Sequence, residues 1–137
     1  MTLVLAAGTG ACGTTDSRAT LPRCVKPPAG VVPGASATLN VDDAGATVCL
    51  APNATLTVFL QAPTGATSWS VPIASDTHVL APVPNGALTL PIGVTGAAFR
   101  GRHDGVATLR AARSPCTMRS IASCDAEHRW SARVVVR

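Results

Sequence analysis

Hydrophobic and polar residues alternate along several short stretches of the chain, and a period of two is the pattern of a half-buried β-strand. The clearest stretch is 55–60, where Leu56, Val58 and Leu60 share one side. The same alternation predicts inward-facing residues in other strands: Val48 and Leu50; Leu88, Leu90 and Ile92; Ala107, Leu109 and Ala111; and Trp130, Ala132, Val134 and Val136. No stretch predicts a helix longer than one turn, so we expect an all-β chain.

Turn-forming residues separate these stretches. The chain contains 11 Pro and 12 Gly, and Asn85-Gly86 is a strong hairpin signal. Val71-Pro72 predicts the end of the strand after Trp69, and residues 93–96 read as a flexible loop. Seven or eight short strands at this spacing predict an immunoglobulin-like antiparallel β-sandwich over residues 38–137.

Composition changes the expected core. Aromatic residues make up only 3% of the chain and Tyr is absent, so aliphatic and small residues must fill most of the interior. Trp69 follows the strand at 55–60 and is expected to be buried in this core. The length of 137 residues supports one domain with one core.

The first 12 residues resemble the end of a bacterial lipoprotein signal peptide, in which small residues precede a lipid-modified cysteine, here Cys12. Basic residues normally precede the apolar run, and a start codon assigned too far downstream would explain their absence. The run is too short to span a membrane. Residues 13–37 are rich in Pro, Gly, Ser and Thr and are expected to form a tether. These features predict an extracytoplasmic protein, either lipid-anchored at the cell membrane or secreted.

The cysteine count agrees with export. If Cys12 of the five cysteines carries lipid, Cys24, Cys49, Cys116 and Cys124 remain, enough for two disulfides. Three pairings are possible. The closeness of Cys116 to Cys124 in sequence favours that pair, which would leave Cys24 to join Cys49.

The net charge of +4 arises mainly in residues 100–137, which contain eight basic and three acidic groups. A nucleic-acid-binding surface usually combines clustered basic residues with aromatic ones. Here Arg110, Arg133 and Arg137 alternate with apolar residues, which favours the solvent face of strands over a phosphate-binding stripe. We therefore expect no nucleic-acid partner.

The ionisable residues do not indicate an enzyme or a cofactor. The sequence has one Glu and six Asp, and most of these lie in turn contexts such as Asp42-Asp43. No serine has the context of a nucleophile elbow, and phosphate-binding glycine loops are absent. Cys116, Cys124 and His128 are an alternative metal site, but their spacing matches no zinc pattern and a fourth ligand is missing. We expect no metal.

The segment Pro63-Thr64-Gly65, with Ala66 and then Trp69, resembles the first binding loop of chagasin-type inhibitors of papain-like cysteine proteases. That family carries an Asn-Pro-x-Thr-Gly-aromatic-x-Trp motif after an apolar strand. Further segments follow in the family's order: Gly93, Thr95 and Gly96 where the glycine-rich second loop lies, and Arg113 and Pro115 where the Arg-Pro-Trp third loop lies.

This resemblance implies a non-catalytic protein that occludes a papain-like protease with loops at one end of the sandwich. The sequence has Ala62 and Ala66 at the positions of the motif's Asn and aromatic residue, and Cys116 at that of the third-loop Trp. An alternative therefore stays open. The chain could be a structural or adhesive immunoglobulin-like module of the cell envelope with no inhibitory activity.

The lipoprotein hypothesis predicts that the native protein begins at a modified Cys12. Mass spectrometry of the N-terminal peptide from the membrane fraction should show a diacylglycerol-sized increase on that residue. Soluble native protein that retains Met1 would contradict the anchor.

Overall fold

The computed structural model describes residues 21–27, 37–84, 90–114 and 128–137. These residues form eight strands and one short 3₁₀ helix, in this order: β1 (Ala37–Asn40), η1 (Val41–Asp43), β2 (Thr47–Leu50), β3 (Thr55–Gln61), β4 (Ile73–Ala74), β5 (Leu80–Val83), β6 (Val94–Gly101), β7 (Gly105–Arg113) and β8 (His128–Val136). The predicted all-β class and the number of strands are confirmed. Within these ranges no helix has the length and apolar character needed to cross a membrane.

The strands form two four-stranded sheets, in the orders β1-β3-β6-β5 and β2-β8-β7-β4. All pairs are antiparallel except two at the edges, where β1 runs parallel to β3 and β2 runs parallel to β8. The chain crosses from β1 to β2 in the opposite sheet and then returns to β3 in the first sheet. It has then reversed direction twice, so β3 runs parallel to β1. The predicted β-sandwich is confirmed, with these two edges as the departure from a purely antiparallel arrangement.

The core lies between the sheets and consists mainly of aliphatic side chains. Leu56, Val58 and Leu60 of β3 are fully buried, as their alternation predicts. The inward-facing residues predicted in β2, β7 and β8 are also buried. Trp130 of β8 is 2% exposed, and its indole Nε1 donates a hydrogen bond to the carbonyl oxygen of Asn40 at 3.2 Å. Because Asn40 ends β1, this bond joins the two sheets.

Two predictions about strands between Trp69 and β6 are wrong. Val71 is 61% exposed and precedes β4, which contains only Ile73–Ala74. The next residue, Pro72, has no backbone N–H to donate to a neighbouring strand. Ile92 was expected to face the core, but it is completely exposed. It lies in a turn closed by a hydrogen bond from Val94 N–H to the Pro91 carbonyl. Leu88 and the Asn85-Gly86 hairpin lie outside the described residues.

The segment 21–27 is attached to the sandwich at β2. Cys24 forms a disulfide with Cys49, and their Cα atoms are 5.2 Å apart. The neighbouring Val25 donates its N–H to the Thr47 carbonyl and accepts the N–H of Cys49, so this segment runs parallel beside β2. The predicted Cys24–Cys49 pairing is confirmed. Cys12 and the Cys116–Cys124 pair lie outside the described residues.

Replacing Cys24 and Cys49 together by Ala should lower the free energy of unfolding by about 2–4 kcal/mol, because the crosslink restricts the unfolded chain. Urea denaturation of the wild type and the double variant measures this difference. As a control, Val25→Thr changes a side chain that is 64% exposed and should alter stability by less than about 0.5 kcal/mol. A double variant as stable as the control would contradict the prediction.

Candidate functional site

Three connections of the chain meet at one end of the sandwich. β3 ends at Gln61, which pairs with Val94 at the start of β6. A short turn at the opposite end of the sandwich joins β6 to β7. The last residue of β7, Arg113, therefore lies at the same end of the sandwich as the first residue of β6. We call the described residues of these connections, 62–68, 90–93 and 113–114, the loop end.

The first loop presents its tip to solvent. Pro63, Thr64 and Gly65 are all exposed. The Ala66 N–H donates to the Pro63 carbonyl at 3.0 Å and closes a turn, in which Gly65 has a φ of 79°. This backbone conformation strains any residue with a Cβ, although no neighbouring atom occupies the space beside Gly65. The Pro-Thr-Gly segment therefore has the residue types that its turn requires.

The second loop lies beside the first. Gly93 has a φ of 83°, and its carbonyl accepts the N–H of Ala62 at 2.9 Å. This bond fixes the separation of the two loops. Ile92 precedes Gly93 and places a fully exposed apolar side chain at the loop end.

Two residues predicted for the second loop belong to a strand. Thr95 and Gly96 lie in β6, where they pair with Leu60 and Phe59 of β3. Glycine at 96 resembles a loop residue in sequence but serves packing, because a Cβ there would lie 2.9 Å from Cδ1 of Leu90. Of the three residues proposed for this loop, only Gly93 lies outside a strand.

The third connection begins at the end of β7. Arg113 is the last residue of that strand, and its guanidinium carbon lies 5.3 Å from the centroid of the Trp69 ring, within the range of a cation–π contact. The next carbonyl, that of Ser114, accepts a hydrogen bond from the hydroxyl of Thr67 in the first loop. Pro115, predicted with Arg113 for this loop, lies outside the described residues.

Trp69 contacts the strand ends that flank all three loops. The indole is 8% exposed, and its Nε1 donates to the carbonyl of Gln61 at 3.3 Å. The Trp69 carbonyl accepts the hydroxyl hydrogen of Thr95 at 2.8 Å, and the ring contacts Arg113. The side chain predicted as core is therefore also the support of the loop end.

A groove of about 600 Å³ adjoins the first loop on the outer side of β3. Apolar side chains form much of its lining, among them Val41, Phe59 and Val94, and the exposed Asp42 lies at its margin. Pro63 and Thr64 of the loop end also line this groove. A partner that contacts the first loop can therefore extend a side chain into this groove.

Sequence reasoning missed the exposed Ile92 and the two contacts of Arg113 and Thr67 that join the first and third loops. Ile92 stands between Pro91 and Gly93, and these turn-forming neighbours were a signal against the alternation that suggested burial. The pairing of Thr67 with Ser114 spans 47 residues. No local pattern reveals a contact at that separation.

The comparison with solved structures finds the crystal structure of the cysteine protease inhibitor EhICP2 from Entamoeba histolytica. It is 14% identical to this chain, with a TM-score of 0.54, and the match covers 73% of this chain and 93% of that one. The solution structure of amebosin is 17% identical with a TM-score of 0.44, over 73% of this chain and 96% of that one. No protein-family model and no curated protein sequence matches the chain.

The likeness to EhICP2 establishes the fold. The chain shares its β-sandwich fold with EhICP2, in agreement with the sandwich that the strand pattern predicts. At 14% identity the likeness concerns the fold alone.

Replacing Trp69 by Ala should cost about 3–5 kcal/mol of unfolding free energy, because it empties a large buried site under the loops. Trp69→Phe keeps a ring but removes the hydrogen bond to Gln61, and should cost about 1–3 kcal/mol. Urea denaturation measures both. Val71→Ala, at an exposed position, is the control. Equal stability of Trp69→Ala and Val71→Ala would contradict the supporting role of the indole.

Proposed function

We propose that this chain is a non-catalytic binding protein that blocks papain-like cysteine proteases with its loop end. The observation that carries the proposal is the convergence of three loops around Trp69, with an exposed tip at Pro63, Thr64 and Gly65. The chagasin-type fold and the resemblance of these tip residues to the family's first binding loop support it.

Inhibition would work by steric occlusion. The turn at residues 63–66 and the side chain of Ile92 protrude together, because the Ala62–Gly93 hydrogen bond holds them side by side. Entering a protease cleft, they would cover the catalytic thiol with backbone groups and the Thr64 hydroxyl. Loops that are already tied by hydrogen bonds lose less conformational entropy on binding than free loops do.

The chemistry of the loop end supports a role without catalysis. Its described residues include no Asp, Glu, His or Cys. Proton transfer and nucleophilic attack need an activating base or an acidic group within hydrogen-bond reach. Backbone amides, hydroxyls and apolar side chains suit recognition.

We further propose that the protein is exported and held at the membrane by lipid on Cys12, with residues 1–12 as signal peptide, 13–37 as tether and 38–137 as the sandwich. The Cys24–Cys49 disulfide supports export, because such bonds persist mainly in oxidising compartments. The tether would then present the loop end away from the bilayer.

One observation favours a second function, that of a structural or adhesive envelope module. Ala62 stands where the inhibitor motif has Asn; the residue is 7% exposed, and its methyl side chain has no polar group to offer a protease. A pull-down from the envelope fraction of the source organism discriminates the two functions. A protease partner supports inhibition, and a structural envelope component supports the alternative.

Inhibition of papain by the protein with intact disulfides tests the first function directly. Ile92→Ser should raise the inhibition constant about tenfold, because an apolar anchor at the interface is lost. Ile73→Ser is the matched control, since Ile73 is also exposed but lies on β4, away from the loop end. It should change the constant less than about twofold.

Two results would overturn this proposal. The first is the absence of inhibition of papain-like enzymes at micromolar inhibitor concentration. The second is an equal effect of Ile92→Ser and Ile73→Ser, which would mean that the loop end is not the contact surface.

A further inference from the structure

Arginine side chains cluster on the outer face of the second sheet. Arg110 of β7 pairs in register with Ser131 of β8, and Arg129 and Arg133 stand two residues to either side of Ser131. Residues two apart on a strand point to the same side, so the three arginines surround one serine. All four residues are exposed. We call them the arginine face.

A groove of about 530 Å³ occupies the part of this face around Arg110, Arg129 and Ser131, and Arg133 lies outside its lining, two residues beyond Ser131. Ala112 and Ser131 are the small residues between the long side chains of Arg110 and Arg129, and Ser70 lines the groove as well. The hydroxyl oxygen of Ser70 accepts the Ala112 N–H at 2.9 Å, which leaves its own hydrogen free to be donated. The groove therefore offers guanidinium and hydroxyl donors around a recessed floor.

The positive charge of Arg110 and Arg133 is not neutralised by an ion pair within the described part of the chain. The Asp76 carboxylate, which follows β4, accepts the His78 N–H, and Asp104 lies in the turn between β6 and β7. Arg129 already takes part in an interaction of its own. The two arginines that carry the inference are therefore Arg110 and Arg133.

We propose that the arginine face binds a carboxylate-rich segment of a partner protein. Guanidinium groups form paired, charge-assisted hydrogen bonds with carboxylates, and two such groups on one face can engage successive acidic residues. Ile73 pairs in register with Arg110 and is 71% exposed, so it provides an apolar contact beside the charges. An extended acidic segment with interspersed apolar residues matches this combination.

The face suits a peptide better than a nucleic acid or a bilayer. Single-stranded nucleic acids stack their bases on exposed aromatic rings, and the one aromatic residue in the described part of β7 and β8, Trp130, is buried in the core. Two or three arginines also neutralise few phosphates. A recessed groove accepts an extended chain, whereas a bilayer presents a broad surface.

This surface is separate from the site of the proposed inhibition. Arg110 and Arg133 lie on the flank of one sheet, three or more residues along their strands from the loop end, whereas the exposed tips of the inhibitory loops lie at the end of the sandwich. The two proposals can therefore fail independently, and papain inhibition serves as a readout that the arginine substitutions should leave unchanged.

The proposal is tested with a short labelled peptide of alternating glutamate and leucine. The peptide is titrated with the full chain at low salt, and binding is measured by fluorescence anisotropy. Arg110→Gln combined with Arg133→Gln should weaken binding about tenfold, because charge-assisted contacts are lost. The matched control combines Arg100→Gln with Arg102→Gln. It removes the same charge from two exposed positions of β6 and the following turn, and should change affinity less than about twofold.

A peptide with glutamine in place of glutamate should not bind. Four outcomes would overturn the proposal: no binding of the acidic peptide, equal weakening by both pairs of substitutions, tighter binding of a single-stranded oligonucleotide, or tighter binding of phosphatidylglycerol vesicles. Equal weakening would mean that net charge alone is responsible. Circular dichroism confirms that each variant is folded before titration.

Discussion

The burial of one indole beneath three loops is the constraint on which the candidate site depends. The Trp69 indole donates a hydrogen bond to the last carbonyl of β3, and its ring faces the side chain of Arg113 at the end of β7. Its backbone carbonyl accepts a hydrogen bond from the hydroxyl of Thr95 in β6. Burial of a large aromatic ring is strongly favourable, whereas a short exposed loop has little hydrophobic surface of its own. The loops are therefore positioned by the core, and their tips can vary without loss of the support.

The two tryptophans perform related tasks in a core that has few aromatic residues. Trp130 donates to the carbonyl at the end of β1, and Trp69 donates to the carbonyl at the end of the neighbouring β3. Both bonds satisfy strand-end carbonyls at the loop end of the same sheet. Both hydrogen bonds are partly buried, so each indole contributes hydrogen bonding as well as packing.

The sequence was informative where one face of a strand is buried against the core. Alternation correctly identified the inward residues of β3, β7 and β8, because burial on one side imposes a period of two. Alternation failed at Ile92, where an apolar residue is exposed on a turn. The loop assignment failed at Gly96, where a close side chain requires glycine inside a strand. Pro91 and Gly93 signal the turn at Ile92 locally, whereas the need for glycine at 96 arises from the packed side chains of Leu90 and Phe59, which the local pattern does not encode.

The candidate site could be located from the sequence only through a resemblance, and only in part. The Pro-Thr-Gly turn is exposed at one end of the sandwich, and its role as a binding loop stays a prediction. The bond between Thr67 and Ser114 and the position of Arg113 over Trp69 are tertiary contacts. They depend on which strands become neighbours, and that follows from the whole topology.

The parallel contact of Val25 with β2 has a consequence for solubility. A β-sandwich has four edge strands, and an uncovered edge can pair with another molecule and start aggregation. The disulfide-held segment covers the edge at β2, Pro82 interrupts the edge at β5, and β4 is only two residues long. Reduction of the disulfide would release the cover from β2, so a reducing environment would expose this protein to strand-to-strand self-association.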